Sequence, residues 1–252
     1  MKLCVPIPCF FNKASFENAI KTVSKLEYKY VEIYGWKHLD LKSARGALSE
    51  NNVTMLSMCT TEFRLTDPEY RSLWVDGIKE SCEAASYLGV KKLITQVGPD
   101  TGADRKKQHE SIVEGLMAGA RILEESNVIV MIEPLNIYVD HPGYYLTSSS
   151  EAFEIVREVG SPNVKVVFDI YHQQISEGNI IPNVVNNLDF IAHLHAAGHP
   201  GRHELQFGEN DYKNIFAAID KAGYNGACGL EYTPLLEPEK SLVLAKELFG
   251  DK

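Results

Sequence analysis

VKVVFDIYH, residues 164–172, is an apolar run that closes on a carboxylate, Asp169. Its length and β-branched content read as a strand buried on both faces. A carboxylate at the end of such a strand is costly to bury unless a cation or several partners neutralise it. Outward from this stretch the pattern recurs at VIVMIEPLN (128–136), FIAHLHAAG (190–198) and ACGLEYTP (227–234), which place Glu133, His195 and Glu231 near strand ends. The four residues are 36, 26 and 36 positions apart, each interval close to one strand-plus-helix repeat.

The rest of the chain keeps the same alternation. Strand patterns fall at 3–7, 30–34, 53–59, 92–97, 128–134, 164–169, 190–196 and 227–232. Amphipathic helix patterns fall at 15–26, 41–51, 68–88, 105–126, 149–159, 181–187, 212–222 and 238–249. Asp67-Pro68 marks a helix start, and Gly89, Gly160 and Gly223 mark helix ends. Eight βα units in 252 residues predict an α/β fold, a (β/α)₈ TIM barrel, with residues 1–252 as a single domain. A doubly wound open sheet normally carries a glycine-rich phosphate loop after its first strand, and PIPCFFNKASF (6–16) has no glycine. In a barrel of this kind chemistry sits at the C-terminal ends of the strands, where all four residues fall.

Composition narrows the partners. The formal charge is −9, with 25 Lys and Arg against 34 Asp and Glu, which disfavours a nucleic-acid partner. No stretch approaches the roughly 20 apolar residues of a membrane span, and no secretory signal is visible in MKLCVPIPCF (1–10). Five scattered cysteines without CxxC spacing read as free thiols in a reducing compartment. The expectation is a cytoplasmic protein acting on a small molecule, for which a homo-oligomer is left open.

Three carboxylates and one imidazole make a hard, oxygen-rich ligand set. It suits Mn²⁺ or Mg²⁺ better than zinc, with Co²⁺, Fe²⁺ and Zn²⁺ left open. Four ligands on an octahedral ion leave two positions for adjacent oxygens of a substrate. A carbonyl held there would be polarised and a developing enediolate stabilised. Glu133 and Glu231, at the two ends of the set, are the candidate acid/base pair.

The stretches IEPLNIYVDHPGYYLTS (132–148), VKVVFDIYHQQISEGNI (164–180), IAHLHAAGHPGRHELQFGENDY (191–212) and GYNGACGLEYTP (223–234) together resemble the xylose isomerase-like barrel superfamily. Within it the resemblance is nearest to the hydroxypyruvate isomerases, with ketose 3-epimerases further off, and it covers residues 128–234. It implies that Glu133 and Glu231 bind metal and act as acid and base, and that Asp169 is a ligand. It also implies that His172 contacts substrate oxygens and that Arg202 holds the distal end of the substrate. The implied activity is isomerisation of a sugar or hydroxy-keto acid such as hydroxypyruvate, giving tartronate semialdehyde, with 3-epimerisation as the alternative. Two features depart from the hydroxypyruvate isomerase pattern. His195 stands where those enzymes tend to have Gln and epimerases have His, and MLSMCTTEF (55–63) lacks their His-Asn-Leu-type segment. A metal-dependent phosphodiesterase and a non-catalytic sugar-binding barrel are the remoter readings.

Other side chains carry weaker expectations. His193 shares a strand face with His195 and reads as a packing residue or an outer partner. Arg202 is either an anion clamp or one half of a surface ion pair with Glu204 or Glu209. Phe10, Phe11, Tyr34, Trp36, Phe63 and Tyr144 are candidate pocket walls, while His38, His109, His141 and His199 read as surface residues.

Overall fold

In the computed structural model, which describes residues 1–62 and 64–248, the apolar runs form eight parallel strands. They are β1 (Lys2–Pro6), β2 (Tyr30–Glu32), β3 (Thr54–Cys59), β4 (Lys92–Thr95), β5 (Ile129–Ile132), β6 (Val164–Asp169), β7 (Ile191–Ala196) and β8 (Ala227–Leu230). Each pairs with its sequence neighbour, and β8 closes on β1 with Cys228 opposite Leu3. The helices are α1 (Ile7–Phe10), α2 (Phe16–Lys25), α3 (Leu41–Glu50), α4 (Arg71–Leu88), α5 (Arg105–Ser126), α6 (Ser149–Val159), α7 (Ile170–Ser176), α8 (Ile180–Val185), α9 (Tyr212–Lys221) and α10 (Pro238–Glu247). The expected (β/α)₈ barrel is the observed fold.

Local chemistry explains the element ends. Ser15, Asp40, Asp104, Ser148 and Asp211 accept backbone N–H bonds at the starts of α2, α3, α5, α6 and α9. Helix α4 stops at Gly89, whose φ of 77° suits glycine best. Asp67 caps a 3₁₀ turn at Pro68–Tyr70, so the helix expected from 68 begins as a tighter turn and becomes α-helical at Arg71. Strands β2, β4, β5 and β8 end two residues short of expectation. At the mouth, side chains replace the neighbouring strand as partners: Tyr144 Oη donates to the Glu133 carbonyl at 3.0 Å, and Arg202 Nε to the Glu231 carbonyl at 3.3 Å. Helices α1 and α7 were not expected, being too short to show a helical period. Phe63 and Phe249 lie outside the described residues.

The main apolar core packs the helices against the outside of the barrel, with Trp74, Ile78, Leu116, Phe153, Phe168 and Ile219 deeply buried. A separate cluster, Ile94, Met131 and Val167, packs with Cys59, Ile129 and Ala192. Met131 and Val167 lie two residues before Glu133 and Asp169, and alternation turns them to the same interior face. Apolar packing thus supports the floor on which the polar residues stand.

Candidate metal centre

Glu133, Asp169, His195 and Glu231 come together at the mouth of the barrel. One ligand atom from each lies within 4.8 Å of all the others. All four side chains are buried. His195 Nδ1 is 3.1 Å from Glu133 Oε1 and 3.2 Å from Glu231 Oε2. Asp169 uses Oδ1 to cap α7, accepting from the Tyr171 N–H at 2.8 Å and the His172 N–H at 3.4 Å. Its Oδ2 is buried without a hydrogen-bond partner among the described residues. An orphaned carboxylate oxygen beside two more carboxylates and an imidazole nitrogen is a set that a divalent cation fits.

The electrostatics show the same shortage of positive charge. Burial, reinforced by Glu231, lifts the Asp169 carboxyl to about 7 against the pull of Arg202. Burial likewise raises Glu133, against the pull of His195. Glu231 is also buried, yet His195 and Arg202 outweigh that and hold it well below the usual carboxylate range. Burial opposes charge on His195, but Glu32 and Glu231 raise it well above an ordinary imidazole. Three carboxylates here share one guanidinium and one imidazole.

Arg202 donates through Nη2 to Glu231 Oε2 at 2.7 Å and stands 3.8 Å from Asp169 Oδ2. Its Nη1 is 3.8 Å from Asp140 Oδ1. The alternative surface pair with Glu204 or Glu209 is not formed. Glu204 instead accepts the Leu235 and Leu236 N–H groups, because the turn after Gly198 aims Arg202 inward. His172 lies on α7, just past the end of β6, and its Nδ1 meets Asn136 Nδ2 at 2.7 Å. Because the amide nitrogen donates, Nδ1 is the acceptor and Nε2 carries the proton. Burial keeps this imidazole neutral.

These groups face a cavity of about 410 Å³. Glu133, His172, His195, Arg202 and Glu231 line one side, with His141 beside them. Tyr34, Cys59, Thr60, Ile94 and Gln96, from the ends of β2–β4, line the other. Of the expected wall residues Tyr34 takes that place, while Phe10 and Trp36 are buried in the core and Phe11 packs against it. Tyr144 stands behind Glu133 as its hydrogen-bond donor. His141, expected at the surface, is a cavity residue: the turn Asp140–Tyr144 folds it back so that its ring lies 5.2 Å from that of His172. His193 meets the outer-partner reading, with Nε2 at 2.9 Å from Glu32 Oε2.

Glu32 was missed. It closes β2 within YVEIYGW (30–36), a buried charge at the end of an apolar run, so the signal that marked Asp169 was present there too. Its carboxylate accepts from Ser57 Oγ at 2.6 Å and faces His195 Nε2 at 3.4 Å. The facing imidazoles outweigh burial and keep it ionised.

A buried, oxygen-rich cluster at the C-terminal mouth of a (β/α)₈ barrel is a set of residue types and spacings that a metal ion would fit. A family model for the xylose isomerase-like TIM barrel matches residues 20–247, and the chain belongs to that family. It is 35% identical over 168 residues to a hydroxypyruvate isomerase of Escherichia coli (strain K12), covering 66% of this chain and 65% of that one. It is 36% identical over 174 residues to a 2-oxo-tetronate isomerase of Cupriavidus necator, covering 69% and 66%. The matched region spans a little under two thirds of these curated relatives. A crystal structure described as an AP endonuclease, family 2, from Brucella melitensis matches with a TM-score of 0.93 at 25% identity, over 98% of this chain and 99% of that one.

Proposed function

We propose that the protein is a divalent-metal-dependent isomerase of a small hydroxy-carbonyl compound, of the kind that converts hydroxypyruvate to tartronate semialdehyde. The observation that carries this reading is the convergence of four ligand atoms within 4.8 Å, two of them on glutamates, beside a cavity of about 410 Å³. The names of the two curated relatives support the same class of reaction.

Glu133, Asp169, His195 and Glu231 would hold Mn²⁺ or Mg²⁺, which supplies polarisation of the substrate carbonyl and stabilises negative charge on its oxygens. Glu231, held ionised by His195 and Arg202, removes the proton from the hydroxymethyl carbon. The substrate becomes an enediolate; a proton is returned to the adjacent carbon from the glutamate pair, and the hydroxyl proton passes to the former carbonyl oxygen with Glu133 as the relay. His172 donates from Nε2 to a substrate oxygen. Arg202 turns from Glu231 to the distal carboxylate or hydroxyl, where its planar fork can make two parallel hydrogen bonds. The buried walls limit water around the reacting carbons.

The experiment is incubation with hydroxypyruvate, and separately with fructose or tagatose, in deuterated water followed by NMR. The expected result is deuterium in the product and in recovered hydroxypyruvate. Deuterium in neither compound from any of these substrates would sink the isomerase reading. His195 favours ketose 3-epimerisation as the second reading, in which the two glutamates act on opposite faces of one carbon. Deuterium gained at C3 of the ketose alone would select it. A phosphodiesterase reading, which the AP endonuclease name brings up, fits poorly with a formal charge of −9.

A further inference from the structure

We propose that Glu32 is a positioning residue that fixes the tautomer of His195, and so keeps Nδ1 of that ring open toward Glu133 and Glu231. The role presupposes the metal centre proposed above and names a residue outside its four ligands.

The geometry runs across the floor of the barrel. Glu32, at the end of β2, is 2% exposed and directly faces the strand β7 histidines. Oε2 is anchored twice, by Ser57 Oγ at 2.6 Å and His193 Nε2 at 2.9 Å. Ligand atoms of Glu32, His193 and His195 lie within 4.8 Å of one another, so this one carboxylate links both rings. Oε1, the other oxygen, stands 3.4 Å from His195 Nε2, an ion-pair separation, and both atoms are buried without a hydrogen-bond partner among the described residues. His193 and His195 cross at 85° with ring centroids 5.1 Å apart, so each presents one nitrogen to the same carboxylate.

Room for this arrangement is made by Gly229 on β8. A Cβ there would stand 2.1 Å from Glu32 Oε1 and 2.8 Å from His195 Cδ2. Any side chain at this position therefore displaces the carboxylate or the ring.

A neutral imidazole carries one proton, and its place decides which nitrogen can act as a ligand. Nδ1 of His195 faces two carboxylate oxygens, so without an acceptor on the far side the proton is drawn to Nδ1 and the lone pair points away from the cluster. Glu32 Oε1 faces Nε2 at 3.4 Å and is the acceptor within reach on that side. Carboxylates in this relation to a ligating histidine set both ring orientation and basicity.

The test compares wild type with Glu32→Gln, which is nearly the same size but gives the site a neutral amide. Mn²⁺ affinity is measured by titration calorimetry, stability by thermal unfolding in chelator, and the His195 tautomer by ¹⁵N NMR as Mg²⁺ is added to saturation. The expected result is an affinity loss of about 10- to 100-fold. With Mg²⁺ bound the wild-type His195 proton should lie on Nε2, the variant should need more Mg²⁺ to reach the same ¹⁵N signature, and the metal-free melting temperature should change little. A variant that binds Mn²⁺ as tightly as wild type, or a wild-type proton on Nδ1, overturns the role of Glu32 alone. A wild type that binds no divalent ion overturns the metal centre itself, and the role with it. If Glu32→Gln does not fold, Ser57→Ala removes one anchor of Oε2 and should weaken Mn²⁺ binding measurably, and unchanged affinity there overturns the proposal.

Discussion

Glu231 has the shortest contact to Arg202 and the lowest proton affinity of the three clustered carboxyls, which makes it the group to test first. Glu231→Gln preserves size and removes the base, so deuterium incorporation should fall by about 10²- to 10⁴-fold while the chelator-treated protein melts near wild type. Wild-type exchange rates in that variant would remove Glu231 from the chemistry. A pH dependence follows from Asp169 and His195. Burial raises the Asp169 carboxyl to about 7, so below that pH it keeps a proton that must leave before a cation binds. His195, raised above an ordinary imidazole, adds a second proton to be displaced at higher pH. Affinity for Mn²⁺ should therefore rise with pH, by up to about tenfold per unit for each proton released, with the Asp169 contribution ending near pH 7 and that of His195 continuing above it. Calorimetry in buffers of different ionisation enthalpy should show that release, and a flat profile would contradict the shifts. At this scale the sequence was informative where a charge broke an apolar run, as at Glu133, Asp169 and Glu231. Glu32 carries the same mark but lay in a short strand far from the matching motifs, and His141 carries none, because a turn rather than a period brings it inward.

Helix α7 joins structure and chemistry at one carboxylate, since Asp169 both ends β6 and caps the helix that carries His172. The two tasks separate by substitution. Asp169→Asn keeps an N-cap acceptor, whereas Asp169→Ala loses it, so the Ala variant should be less stable than the Asn variant by about 1 kcal/mol in urea unfolding. Both should bind Mn²⁺ poorly, because neither retains the ionised Oδ2. Equal stability of the two variants would show that the cap contributes nothing. Long elements were legible because their periods have room to repeat: α5, α6 and β6 fall where the patterns place them. Helices α1 and α7, four and seven residues long, have no such room. Strand ends at the mouth were overread because the patterns were carried over Glu133-Pro134 and Glu231-Tyr232, where Tyr144 and Arg202 bond the carbonyls in place of a neighbouring strand.

For the whole molecule, the alternation of eight strands with helices was sufficient to read the barrel, and the ordering of neighbours from β1 round to β8 follows from it. No helix among the described residues is long and apolar enough to cross a membrane. If the four strand-end groups bind an ion, that binding favours the closed barrel over the unfolded chain by about 2.7 kcal/mol at 100 times the dissociation constant. In a chain of this length that corresponds to about 5–10 °C in melting temperature, so chelator should lower the transition by that amount and Mn²⁺ should restore it. A melting temperature indifferent to both would argue that the cluster is self-sufficient. The two sides of the cavity are unlike: β5–β8 bring the charged groups, whereas Tyr34, Cys59, Thr60, Ile94 and Gln96 on the opposite wall are uncharged. In the proposed reaction the charged half carries the proton transfers and the contacts of His172 and Arg202, and the uncharged half completes the wall. Exchanging residues in the uncharged half, at Thr60 or Gln96 for instance, offers a route to retuning which compound is accepted while the machinery across the cavity stays intact.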